Sequence, residues 1–403
     1  MSMRISPNSP PKRTITICYL SPKFRPFFAG SEIALERLVK SLSGDKKIKT
    51  FIITSLISGD GDLLAGKDKL SGKILRVGFE KKVCVENYKE WRSMVLKNLV
   101  AKLEKHNQQV DIVYLNHHLF LQSKNCIEKI FSLKKPVILK IIYTKTFTLL
   151  RPTRKILLSN RIKKYLTVHC ISKDILERAK KFGFSQDQIF YCPNPIDAPA
   201  FFRSASKHSS PLKKYTAISN NDLVFIFIGR FAPQKNISKI VNLFKRLERA
   251  RNDVKLVMVG YIAHPVMPPI IEHLKKVSKN IFWIGKVPNH KVAGYLQAAD
   301  CLIMASKDEG MSNTLLEAMA SGVCPIIPGH VSGAKDLIKN NSNGITYDFK
   351  NDKVLIKRLT LISKKDIAAM GTNARKRVQK LCNPNMVAVK HKRLYQQLIS
   401  RKF

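Results

Sequence analysis

Residues 309–322 read EGMSNTLLEAMASG, placing Glu309 and Glu317 on either side of a short amphipathic stretch. An ionised carboxylate is acceptor-only, so a pair of them beside one turn suits a ligand rich in hydroxyl groups, such as a sugar or a ribose. A capping or salt-bridging role would explain either glutamate taken singly. Ser312 is a good N-cap, and the spacing predicts a helix over 313–321 with Leu315, Leu316 and Met319 on its apolar face. Glu309 then sits in the preceding loop and Glu317 on the helix. Gly310, Met311, Ser312 and Asn313 would aim the unpaired N–H groups of a helix start at an anion.

A second cluster lies upstream. GRFAPQKN sets Arg230 directly beyond an apolar run and Lys235 just before a predicted helix near Asn236. Arg forks two phosphate oxygens and Lys supplies a point charge, so the pair suits a diphosphate; two solvated surface cations are the plainer alternative. Near the start of the chain, Gly30 precedes a helix beginning near Ser31 and Glu32. A glycine there lets a ligand approach the backbone, although a tight strand-to-helix turn asks for glycine in any case.

These residues need strands and helices to hold them. From Thr14, the β-rich runs TITICYL, TFIITSL, KILRVG, DIVYL, PVILKII, TVHCIS and QIFYC alternate with helical patterns, including a basic stretch, RKILLSNRIKKYL. That alternation predicts a parallel sheet with helices on both faces. Residues 194–220 lack periodicity and read as a linker, after which LVFIFIG, VKLVMVG, IFWIG, CLIMA, VCPII and GITY restart the pattern. The expected organisation is a disordered extension over 1–13, a Rossmann-like domain over 14–205, a second over 206–384, and a C-terminal helix over 385–403 packing back toward the first. Two doubly wound α/β halves would face each other across a cleft. Open α/β sheets bind ligands beyond the carboxyl ends of their strands, where the singled-out residues fall.

Composition bounds the partners. The chain of 403 residues carries 72 Lys and Arg against 28 Asp and Glu, a formal charge of +44, which favours anionic partners: nucleic acid, an acidic membrane or phosphorylated small molecules. Basic clusters gather at Lys46, Lys47 and Lys49, at Arg151, Arg154 and Lys155, and at Arg161, Lys163 and Lys164. The absence of zinc spacing, RNA-recognition signatures and basic-aromatic interleaving argues against nucleic acid. The eight cysteines form no CxxC pair and read as reduced core thiols. No signal peptide and no membrane-spanning run are visible, so the expected location is cytoplasmic, with at most peripheral contact to the inner membrane face.

EGMSNTLLEAMASG resembles the E-x7-E stretch of retaining glycosyltransferases of the GT-B fold, family 4. GRFAPQK resembles that family's G-R-x-x-x-x-K segment, VSGAKDLI its G-G-x-x-E-L-I turn, and NPIDAPAF its N-G-V-D segment. The resemblance implies a metal-independent, retaining hexosyltransferase. It would move sugar from a nucleotide-sugar, UDP-linked in preference, to a glycan or lipid-linked acceptor in polysaccharide, lipopolysaccharide or glycoconjugate synthesis. Arg230 and Lys235 would hold the diphosphate, Glu317 the ribose hydroxyls, Glu309 the transferred sugar, and Gly30 a loop over the phosphates. No cofactor or nucleic-acid partner is expected. Asp336 replaces the usual glutamate, Tyr261 stands in a usually acidic turn, and Ile142 or Tyr143 falls where relatives often carry a histidine, leaving His117 or His118 as the candidate sugar or acceptor contact. The competing readings are a nucleotide-sugar epimerase and a catalytically silent basic module for RNA or membrane.

Overall fold

The computed structural model describes residues 13–24, 30–55, 73–77, 88–196, 201–202, 211–212, 217–262 and 278–401. Nearly all of the expected 1–13 extension lies outside them. Contacts divide the chain into two units, one of Met1–Ile171, Leu176–Cys192 and Asn385–Phe403, the other of Ser172–Ile175 and Pro193–Pro384. The sequence boundary at 205/206 thus stands later than the change of unit at Cys192/Pro193, and the C-terminal segment groups with the first unit.

The first unit is a seven-stranded sheet of β1 (Ile15–Ser21), β2 (Ile48–Ser55), β3 (Lys73–Val77), β4 (Ile112–Leu115), β5 (Val137–Ile141), β6 (Leu166–Cys170) and β7 (Ile189–Tyr191), ordered β3-β2-β1-β4-β5-β6-β7. The second holds β8 (Leu223–Ile228), β9 (Val254–Val259), β10 (Ile281–Gly285), β11 (Cys301–Ile303), β12 (Cys324–Pro328) and β13 (Ile345–Tyr347), ordered β10-β9-β8-β11-β12-β13. Every pairing is parallel. Central strands are buried on both faces, as in IVYL and LVFIFI, which is why they read as continuous apolar runs and not as alternation.

Helices of six or more residues among the described residues are α1 (Gly30–Leu42), α2 (Tyr88–Lys105), α3 (Lys124–Ser132), α4 (Lys173–Phe182), α5 (Ile237–Ala250), α6 (Val292–Gln297), α7 (Asn313–Ala320), α8 (Ser332–Leu337), α9 (Lys353–Leu361), α10 (Lys364–Leu381) and α11 (Pro384–Ser400). In α5 the buried residues Ile237, Ile240, Val241, Phe244 and Leu247 recur at helical spacing and pack against Phe225 and Leu256. Fully burying one such side chain stabilises by about 1.5–3 kcal/mol. The basic stretch RKILLSNRIKKYL, read as helical, is instead two single turns over Arg154–Leu157 and Asn160–Lys163. A further turn over Arg151–Thr153, containing Pro152, which lacks an N–H, precedes it.

Strand order decides where loops meet. In each sheet the winding reverses once, between β1 and β4 in the first unit and between β8 and β11 in the second. Crevices form at such switch points, beyond the strands' carboxyl ends. The segments after β8 and β11 carry Arg230, Lys235 and Glu309; those after β1 and β4 carry Gly30, His117 and His118.

Candidate active site

In the second unit the segment after β8 is pinned at Phe231. Its side chain is fully buried, its N–H donates to the Tyr261 carbonyl at 2.8 Å, and it bridges to Ile262. Arg230, one residue earlier, is exposed. Pro233–Lys235 then forms a single turn, and Asn236, in the left-handed region at φ 51°, breaks direction before α5. The neighbouring strand end must come very close: a Cβ on Gly260 would lie 1.8 Å from the Gly229 carbonyl oxygen. Only glycine allows that approach.

The segment after β11 is tied to this one by backbone and side chain. Lys307 N–H donates to the Gln234 carbonyl at 2.9 Å, and Gln234 Nε2 to the Asp308 carbonyl at 2.6 Å. Between those tethers Lys235 Nζ and the Glu309 carboxylate form an ion pair, both side chains mostly buried. Ser306 Oγ donates to the same Glu309 oxygen at 3.1 Å, and the Glu309 carbonyl accepts from Ser332 N–H at 3.3 Å. Glu309 is therefore fixed at both its backbone and its side chain.

Gly310 and Met311 lie against the start of α8, where a Cβ on Gly333 would stand 2.9 Å from the Gly310 oxygen and 3.1 Å from Met311 Cα. Ser312 caps α7 as its type predicts, accepting from Leu315 N–H at 3.4 Å. The helix ends at Ala320, one residue before expected, with Glu317 buried in it and Asn313 at its first position. The structure thus gathers Lys235, Glu309, Gly310, Met311, Ser312 and Asn313 around one helix start, with Arg230 on the adjoining segment. A fixed carboxylate accepts hydroxyls; an ammonium and free N–H groups take phosphate oxygens. Lys235 and Glu309 touch each other, a pairing that their separately expected roles did not include.

Gly30, His117 and His118 belong to the first unit. Gly30 is the first residue of α1, and Asn116 Nδ2, at the end of β4, donates to the Ser31 carbonyl at 3.4 Å and to Ser21 Oγ at 3.2 Å. The two histidine rings stack at 4.3 Å. His117 Nδ1 accepts from Leu119 N–H at 3.3 Å, whereas His118 Nδ1 is buried without a hydrogen-bond partner. Tyr143 Oη lies 3.3 Å from His118 Nε2 and its ring meets the imidazole edge-on. Loss of solvation lowers the His117 pKa to about 4 and the His118 pKa to about 3, with nearby positive groups adding to the effect. Both are neutral near pH 7.

Ser306, Gln234 and Gly333 position this site and escaped sequence reading: Gln234 and Gly333 act through contacts between segments, and Ser306 through a side-chain bond three residues along its own loop. Only Gly333 carries a readable signal, as a glycine inside the VSGAKDLI segment.

Residues 210–377 match the family model described as glycosyl transferases group 1. Alpha-monoglucosyldiacylglycerol synthase of Acholeplasma laidlawii is 31% identical over 170 residues, 41% of this chain and 42% of that protein. The Campylobacter jejuni alpha-1,4-N-acetyl-D-galactosaminyltransferase, whose name specifies a diNAcBac-PP-undecaprenol-linked glycan, is 27% identical over 159 residues, 38% of this chain and 42% of that one. The chain thus spans less than half the length of these two relatives. Among solved structures, Anabaena Alr3699/HepE in complex with UDP and glucose superposes with a TM-score of 0.73 at 15% identity, covering 95% of this chain and 100% of the other. Two all-parallel α/β units with this likeness over almost the full length constitute a GT-B fold, and the match to glycosyl transferases group 1 falls within the second of those units.

Proposed function

We propose that this protein is a retaining glycosyltransferase that moves a sugar from a nucleotide-sugar, UDP-linked in preference, to a glycan or lipid-linked acceptor. The observation that carries the reading is the pinned Glu309 carboxylate, paired with Lys235 beside the N-terminus of α7 at the switch point of the second sheet. In this reading Arg230, Lys235 and the first N–H groups of α7 stabilise the departing diphosphate, a preorganised electrostatic role that substitutes for a metal ion. Glu309 accepts hydroxyls of the transferred sugar, and Glu317 those of the ribose. The relatives named for a diacylglycerol-linked and an undecaprenol-linked product, and the neighbour solved with UDP and glucose, support the substrate classes.

Peripheral contact with the cytoplasmic face of a membrane belongs to the same proposal. It is supported by the exposure of Lys46, Lys47, Lys49, Arg151, Arg154, Lys155, Arg161, Lys163 and Lys164 on the first unit. No described helix is long and apolar enough to cross a membrane.

The test is a panel of nucleotide-sugars with EDTA present, read by nucleoside diphosphate release and by the anomeric configuration of the product. Release from one donor with retained configuration is expected. Inversion, a strict metal requirement, or epimerised donor without transfer would each overturn part of the reading. No response to any donor would leave a silent binding module.

A further inference from the structure

We infer that Tyr261 is the platform on which the base of the donor nucleotide stacks, an assignment resting on the nucleotide-sugar reading above. A nucleoside diphosphate has two parts with unlike needs. Its polyanion is met by cations and N–H groups, whereas its flat heteroaromatic ring gains most from an aromatic face and a nearby cation. The segments after β8 and β11 supply the charged half, and no group described in them so far serves the ring.

Tyr261 stands one residue past Gly260, at the carboxyl end of β9, the strand paired with β8. Gly260 lies against Gly229, and the Tyr261 carbonyl accepts from Phe231 N–H at 2.8 Å. The backbone bearing the ring is thus bonded to the residue next to Arg230. The side chain is 37% exposed, and among the described residues it is the one aromatic that counts as an exposed large apolar group. Isolated surface tyrosines are common and prove nothing singly. A second observation separates this one: Lys286, just past β10, brings Nζ to 5.4 Å from the ring centroid. A cation arriving from the next strand holds the ring in place and adds charge where the base meets the phosphates. Every base has a π face, so Tyr261 favours nucleotides over bare phosphate without choosing the base.

Calorimetric titration of the full chain with UDP, GDP and inorganic diphosphate tests this. Tyr261→Ala is expected to weaken the nucleotide that wild type binds about tenfold and to leave inorganic diphosphate within about twofold, while Tyr261→Phe restores binding. Tyr261→Leu, which keeps bulk without the π face, should behave as Tyr261→Ala and covers the case in which the alanine variant fails to fold. Equal weakening of all ligands, or no change for nucleotides, overturns the assignment. If wild type binds neither nucleotide, the nucleotide-sugar reading falls and takes this inference with it; if wild type binds and the variants match it, only the inference falls.

Discussion

The switch points of the two sheets share a topology and use opposite electrostatics. In the second unit the segments after β8 and β11 meet through an ion pair, Lys235 with Glu309, at the edge of solvent. In the first, the end of β4 holds stacked neutral imidazoles, and a further neutral pair lies deeper: His169 and His391 meet edge-on at 5.1 Å, with Tyr114 Oη 2.6 Å from His169 Nδ1. Burial lowers the His391 pKa to about 4 and drives His169 down as well. Charge suits binding a charged ligand, and neutrality suits a packed scaffold, so the same crevice geometry has been given two different tasks.

Acid should break that contrast most strongly. A histidine whose folded pKa lies below its unfolded value of about 6.5 contributes stability that is complete above that value and lost as pH falls toward the folded pKa. Below about pH 6.5 the unfolded chain binds protons that His117, His118, His169 and His391 refuse, at up to about 1.4 kcal/mol per pH unit for each fully neutral imidazole. The first unit is expected to lose several kcal/mol between about pH 6.5 and pH 4. The described histidines of the second unit, His290 and His330, are exposed. Hydrogen exchange across this range should release β4 and β6 before β8 and β11; simultaneous release would remove the contrast.

Glu309→Ala tests the charged side. Removing a fixed group that acts on the reacting sugar is expected to lower turnover by about 10²–10³-fold with the circular dichroism unchanged. Turnover within a few-fold of wild type would sink the role of Glu309. Gly333→Ala probes how tightly the Glu309 loop is held. The added methyl meets backbone at 2.9 Å, so a stability loss of about 1–3 kcal/mol is expected in the second unit, with a parallel fall in donor affinity. Tyr143→Phe, on the neutral side, should cost only about 0.5–1.5 kcal/mol by thermal melting, since it removes one long contact to His118.

Much of the architecture was legible because it rests on local pattern. All thirteen apolar runs became strands, and the Ser312 cap and its helix fell within one residue of expectation. The basic stretch from Arg154 to Leu166 misled because helical spacing persists across single turns, each of which buries one apolar residue, Leu157 and Ile162. The charged half of the site was readable since motif residues sit beside each strand end. Its internal wiring was not: Gln234 on Asp308 and Lys235 on Glu309 join segments remote in sequence, and nothing local encodes them. The neutral half was less legible still. His169 and His391 read as ordinary positions in a strand and a helix, and their pairing exists only once α11 packs on the sheet.

That last packing has a consequence for how the protein is made. Val387, Ala388, Leu394, Tyr395 and Leu398 of α11 share a core with Tyr19, Leu35 and Ile112, and Tyr395 Oη lies 2.9 Å from Tyr19 Oη. A ribosome emits the sheet of the first unit early and the helix that completes its core only after the second unit, nearly all of which is synthesised in between. The second unit can therefore finish folding first, while the earlier-made one waits with an apolar face uncovered, the situation in which a nascent chain has most need of a chaperone.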